Sequence, residues 1–161
     1  MALNYETIKN YSGIQTVIVE LALDNENIAQ VEVKKFMNAE MKLQVMQNMS
    51  TLAIAIEEHE ELSKVEEIET HVAVIGMLAE LTDIEFPPLH DIDKVMEMYL
   101  WLTEGGKMEK ILSAIPATTI EELMAFVAVM AKQIAEGGFD EQLSDNQTSV
   151  EGVTGEGGEG N

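Results

Sequence analysis

Residues 14–36 read I-Q-T-V-I-V-E-L-A-L-D-N-E-N-I-A-Q-V-E-V-K-K-F, and this run decides the fold class. From Ile14 to Leu23 β-branched residues dominate. Side chains alternate across a strand, so Val17, Val19, Leu21 and Leu23 share a wholly apolar face, while Thr16, Ile18 and Glu20 share a mixed one. Asp24-Asn25-Glu26-Asn27 then supplies turn chemistry. The alternation Val31-Glu32-Val33-Lys34, with Ile28 and Phe36 on either side, reads as the return strand. A helix beginning earlier is the alternative for this second segment.

Downstream the apolar period lengthens. Met41, Val45, Met46, Met49, Leu52, Ala53 and Ile56 recur at steps of three and four, which predicts an amphipathic helix from Asn38 to about Leu62. Ser63 with Glu66 reads as a capping box opening a second helix. Its inner side carries Val65, Ile68, Val72, Ile75, Leu78 and Ala79. Thr82-Asp83 and Pro87-Pro88 break the pattern. Asp91 is placed to cap a helix bearing Ile92, Val95, Met96, Tyr99, Leu100 and Leu102, which Gly105-Gly106 stops. A shorter helix over Met108–Ile115 ends at Pro116. Thr118 with Glu121 forms another capping box, opening a last helix. In that helix Ile120, Leu123, Met124, Val127, Met130, Ala131 and Ile134 are expected to face inward until Gly137-Gly138.

The fold class that follows is α+β and mainly α: an N-terminal β-hairpin packed on four to five helices. Residues 1–37 hold a leader and the hairpin. Residues 38–138 form a helical domain that makes one compact unit with it. Residues 139–161 contain six acids and no lysine, and end in a Gly/Glu-rich run. Such a segment has too little apolar surface to offset chain entropy, so a disordered acidic tail is expected.

Composition narrows function. The chain has 161 residues, 46% of them apolar, and a net charge of -21. Nine lysines face thirty carboxylates and there is no arginine. So acidic a surface repels phosphate backbones and anionic lipid, so neither nucleic acid nor membrane is an expected partner. Bidentate guanidinium recognition of phosphate is ruled out. Zero cysteines exclude disulfides and thiolate chemistry. The first residues, M-A-L-N-Y-E-T-I-K, lack a basic segment followed by an apolar one, and no apolar run is long enough for a span. A soluble cytoplasmic protein is the expectation.

Few side chains offer chemistry. Glu57-Glu58-His59-Glu60-Glu61, with Glu66, Glu67, Glu69 and His71, resembles metal-ligating material, but neither His-Glu-x-x-His nor Glu-x-x-His is present. Ile56 and Ile68 occupy the positions three before His59 and His71. A solvated acidic face is the simpler reading. Asp91-Ile92-Asp93, near Asp83 and Glu85, lacks the pattern of a calcium loop, and His90 reads as a turn residue. Glu104-Gly105-Gly106-Lys107 lacks the phosphate-loop frame, with Trp101 at the upstream glycine position and Met108 after the lysine. A helix C-cap accounts for both glycines. No serine lies in G-x-S-x-G, and no pair among thirty carboxylates stands out as acid and base. We expect no catalytic site, no metal and no cofactor.

The methionines are more suggestive. Met37, Met41, Met46, Met49, Met96, Met98, Met124 and Met130 lie on or beside the helices, and methionine-rich grooves accept varied amphipathic helices. At positions such as Met46 and Met124, core filling is the reading adopted. Trp101 falls one place off the Val95/Tyr99/Leu102 stripe, either at the edge of the core or as an exposed interface anchor.

The order of these elements resembles the tail assembly chaperones of tailed bacteriophages. The matching residues are Val74-Ile75-Gly76-Met77-Leu78-Ala79-Glu80-Leu81-Thr82-Asp83-Ile84, then Leu89-His90-Asp91-Ile92-Asp93-Lys94-Val95. The likeness runs from about Ile14 to Leu102. It departs at Asp83, where the family usually has glycine, at Pro87-Pro88, and over 107–136, which has no counterpart. The resemblance implies transient binding of the long helical tape measure protein in the host cytoplasm, with release to the tail tube protein and no nucleotide hydrolysis. It also implies that a frameshifted longer form can exist, with 151–161 as a flexible junction. The alternative in the same system is a small baseplate or tail-completion protein retained in the virion. An adaptor for a basic host protein and a metal-dependent enzyme are further classes. Oligomeric state and individual partner-binding residues stay open on sequence alone.

Overall fold

The computed structural model describes residues 4–6 and 15–136. The expected disordered tail, 139–161, lies outside the described residues, as do Ile14 and Gly137-Gly138. The chain divides into two compact units, residues 1–123 and 124–161. The first is an α+β unit dominated by helix. It contains strands β1 (Thr16–Ala22) and β2 (Ile28–Lys34), then helices α1 (Ala39–Glu57), α2 (Ile68–Leu81), α3 (Ile92–Thr103) and α4 (Lys107–Ala114). Helix α5 (Ala117–Ala135) begins in the first unit and continues into the second.

The hairpin follows from its alternation. β1 and β2 pair antiparallel in an unbroken register from Thr16↔Lys34 to Ala22↔Ile28. That register puts Leu21, Val31 and Val33 in the core and Val17 and Val19 half-buried at its margin. In the turn, Asp24 Oδ1 accepts the backbone N–H groups of Glu26 and Asn27, each at 2.8 Å. Its Oδ2 accepts the Asn27 side-chain amide at 2.7 Å. The Asn27 amide, then those two backbone N–H groups, favour the carboxylate and hold the Asp24 pKa below its ordinary value. Phe36 lies beyond β2 and is exposed.

Helix α1 starts where Asn38 Oδ1 accepts the Met41 N–H at 2.9 Å, an ordinary N-cap. Val45, Leu52 and Ile56 are its buried positions. It ends at Glu57 rather than at Leu62, because His59 and its neighbours turn the chain. His59 Nδ1 accepts the Leu62 N–H at 3.3 Å, which leaves Nε2 to donate to Asp93 Oδ1 at 3.1 Å. A short 3-10 turn, Leu62–Lys64, follows.

Two expected capping boxes do not form. Ser63 sits inside the 3-10 turn and its Oγ donates to the Glu60 carbonyl, while Val65 is exposed. Helix α2 begins instead at Ile68, behind Glu67, which holds a left-handed backbone at φ 60°. Such a conformation costs an L-residue about 1–2 kcal/mol, and glycine escapes it at some expense in chain entropy. Glu67→Gly is therefore expected to raise the unfolding free energy by about 0.5–1 kcal/mol. Thermal unfolding of Glu67→Gly beside Glu67→Ala measures this; equal midpoints for the two would contradict it.

The second box fails because α5 already begins at Ala117, ahead of Thr118. Thr118 is exposed within α5, whose first turn instead directs Thr119 into the core, where its Oγ1 donates to the Lys35 carbonyl. Asp91 does stand at the N-cap position of α3, but its carboxylate takes Lys94 Nζ at 2.7 Å rather than a backbone N–H. That bond to Lys94 lowers the Asp91 pKa and raises that of Lys94. Leu100, counted with the α3 stripe, is exposed. Beyond Leu123, Met124, Ala131 and Ile134 are exposed rather than inward.

Asp83 closes one edge of the hairpin. Its N–H donates to the Glu32 carbonyl at 3.2 Å, and its Oδ1 accepts the Glu32 N–H at 2.8 Å. Beside it Thr82 forms a bridge to Val33. The end of α2 is thereby fixed to β2, and α4 packs against β1.

Candidate protein-binding groove

Helices α1 and α2 pack face to face, and their crossing is set by Gly76. A Cβ at that position would lie 2.8 Å from Met49 Cγ and 3.4 Å from the Val45 carbonyl oxygen. The Gly76 carbonyl accepts Asn48 Nδ2 at 3.2 Å, which ties the two backbones where they approach. Towards the connection between the helices the packing opens. There an open groove of about 520 Å³ lies between the last two turns of α1 and the first turn of α2.

The periodicity of the two helices supplies its apolar lining. Met49, Ala53 and Ile56 line up on one face of α1, and Ile68 and Val72 do so on α2. Ile56 and Val72 are buried in the floor, Met49 and Ile68 are half-buried, and Ala53 is exposed. Glu57, Glu69 and Ser50 form polar margins. Glu58, Glu60, Glu61, Glu66 and Glu67 stand exposed along the adjoining connection. The one base among them, Lys64, pairs with Glu60 at 3.6 Å, a surface contact of little energetic weight. The result is an apolar floor with a carboxylate rim.

The residues weighed for metal binding go to separate partners. His59 pairs with Asp93, and His71 Nδ1 lies 2.7 Å from the Tyr99 hydroxyl. The Tyr99 ring meets that of His71 at 5.0 Å between centroids, and burial raises the tyrosine pKa. Among the described residues, no three His, Cys, Asp or Glu side chains converge as a metal site would require. The loop at Glu104–Gly106 is a 3-10 turn in which Gly105 and Gly106 both take positive φ, at 64° and 75°. That backbone explains two consecutive glycines at the end of α3. Lys107 Nζ donates to the Glu104 carbonyl at 3.0 Å and stands 4.4 Å above the Trp101 ring, so a cation covers one face of the exposed indole.

The methionines divide by position. Met37, Met77 and Met108 are core residues. Met41, Met46, Met49, Met96 and Met98 are half-buried, and of these Met49 lines the groove. Periodicity had placed Met49, Ala53, Ile56, Ile68 and Val72 on inner faces. The gap between those faces had no sequence signal, because the left-handed turn at Glu67 that displaces the start of α2 uses a residue type with no preference for it.

Among the described residues no single helix is long and apolar enough to cross a membrane. No protein-family model matches the chain, and neither the curated proteins nor the solved structures compared with it include a significant match.

Proposed function

We propose that this chain is an assembly chaperone of the tailed-phage type, which binds apolar helical segments of the tape measure protein and keeps that protein soluble until the tail tube replaces it. The observation that carries this reading is the α1–α2 groove, with its apolar floor of Met49, Ile56, Ile68 and Val72 and its rim of Glu57 and Glu69. An amphipathic helix reads such a groove with residues at every third and fourth position. Met49 adjusts to side chains of different shape, which suits a partner whose helix face varies along its length. The order of hairpin, long helix, Leu81-Thr82 turn and Asp91-led helix supports the same family type. A net charge of -21 keeps coated complexes soluble and apart from one another.

Release by competition suits this geometry, since an open groove needs no chemical step to let a helix go. Steering by the carboxylate rim speeds encounter with a basic-flanked helix, while the apolar floor sets residence. Salt should therefore slow association and leave most of the affinity in place.

The test is coexpression with a tape measure protein from the same source as this chain. The tape measure protein should stay in the soluble fraction with the native chain and aggregate with Ala53→Glu. Residue 53 is exposed at the groove wall, so the added charge is expected to change stability by no more than about 0.5 kcal/mol. Equal solubility with the two versions would rule out the groove as the binding surface.

A further inference from the structure

One edge of the hairpin, that of β1, pairs with no strand among the described residues. Lys35 donates its N–H to the Gln15 carbonyl at 2.6 Å, and Leu23 donates to the Asn27 carbonyl at 2.9 Å. With the register of the pair, these bonds place Gln15, Val17, Val19, Leu21 and Leu23 in the hydrogen-bonded positions facing β2. The N–H and C=O groups of Thr16, Ile18, Glu20 and Ala22 consequently point to the opposite edge. Among the described residues no backbone group pairs with them there.

The two edges of the hairpin are treated differently. That of β2 is capped at Glu32 and Val33 by Asp83 and Thr82. That of β1 has no proline, no bulge in its register, and no lysine among its outward residues. Alongside it runs an open groove of about 590 Å³, with Ile18 and Glu20 on the strand side and Gly106, Glu109, Lys110 and Ser113 on the other. A strand edge beside a helix is the arrangement that accepts an extended peptide as an added strand.

Charge selects the occupant. Glu20 and Glu109 border the groove, and Glu32 sits opposite Ile18 on the outer face of the hairpin. Lys34 Nζ is engaged by the Glu80 carbonyl at 3.2 Å, which leaves Lys110 as the base at the groove. Ile18 is 52% exposed and Ile28 is 64% exposed, so the same face offers aliphatic contacts between its acids. A second copy would bring a further charge of -21 and the same carboxylates to this edge.

We propose that β1 is a docking edge for an extended segment of a basic partner protein, alternating aliphatic residues with lysine or arginine, which adds to the hairpin as a third strand between β1 and α4. This surface does not depend on the α1–α2 groove binding a helix.

The probe is an acetylated synthetic peptide, K-V-K-V-K-V-K, added to the isotope-labelled full chain. On binding, amide exchange at Ile18, Glu20 and Ala22 should slow at least tenfold, with Val17, Val19 and Leu21 unchanged because β2 already protects them. Ile18→Pro removes an N–H from the free edge only and should abolish binding. The same peptide N-methylated at alternate amides, on the edge that pairs, should also fail, which keeps the test decisive if Ile18→Pro does not fold. Absence of binding overturns the proposal, as does protection that maps elsewhere. Protection at Ile18, Glu20 and Ala22 that rises with protein concentration in the absence of peptide would assign the edge to a second copy and overturn it too.

Discussion

Leu78→Ala is expected to lower the free energy of unfolding by about 2–5 kcal/mol, a large part of the stability of an ordinary domain. Leu78 is 0% exposed and lies on the buried stripe Val72, Ile75, Leu78 and Leu81 of α2. Removing its isobutyl group takes away apolar contacts and leaves a void that a helix held on both sides of Leu78 is ill placed to fill. Before Leu78 the helix is held at the Gly76 crossing, and after it by Thr82 and Asp83 on β2. Collapse into the void would disturb both. Leu100→Ala is the matched control, since Leu100 is 57% exposed and its loss should change stability by no more than about 0.5 kcal/mol. Urea unfolding of the two variants, read as midpoint shifts at constant slope, separates them. Similar shifts for both would mean that Leu78 is not a core residue.

The second large effect is at the crossing of α1 and α2. Gly76→Val should destabilise by about 1–3 kcal/mol, even though valine is the better helix former. Its Cβ would begin 2.8 Å from Met49 Cγ, with backbone atoms of Met49 and Val45 at 3.4 Å behind it. The side chain has some room to move and the α1 backbone has little. Adding Met49→Ala removes the nearest atom, so the double variant should recover part of what Gly76→Val alone loses, less the ordinary cost of Met49→Ala. A double-mutant cycle reads this coupling directly. Strict additivity would show that the helices are not packed tightly at Gly76.

Much of this architecture was legible in the sequence, for reasons that lie in period. The hairpin is written in a two-residue alternation and a polar turn, and both strands follow it. The helices are written in steps of three and four, and the stripes through Val45, Leu52 and Ile56 and through Val72, Ile75 and Leu78 are buried as expected. Gly105-Gly106 ends α3 through positive φ, as a glycine pair at a helix end suggests. Local pattern failed where tertiary bonds competed with it. The box at Ser63 lost to a turn organised by His59, whose ring bonds both Leu62 and the distant Asp93. The box at Thr118 lost to Thr119, which found an acceptor in Lys35 far back along the chain.

Asp83 teaches the same lesson in the other direction. In sequence it marked only the break after the Leu81 helix, yet it holds the edge of β2 through both of its hydrogen-bonding groups. The apolar stripe of the last helix did not show where the first unit stops. Leu123 is buried, while Met124, next on the same stripe, is 55% exposed. The groove was half legible. Its lining was marked as apolar helix face, and its opening depends on how α2 enters after Glu67.

The proposed chaperone role joins two properties that the chain combines throughout: an apolar floor able to take a helix, and a surface acidic enough to keep the complex dispersed. Its most direct test is to recover tagged chain from the producing cells during assembly, wash at high salt, identify what remains bound by mass spectrometry, and assay finished particles for the chain. The proposed role expects one very long helical protein with extended apolar segments to survive the wash, and the chain to be missing from the particles. Stoichiometric retention of the chain in a purified tail or baseplate would contradict it and make the chain a structural component instead.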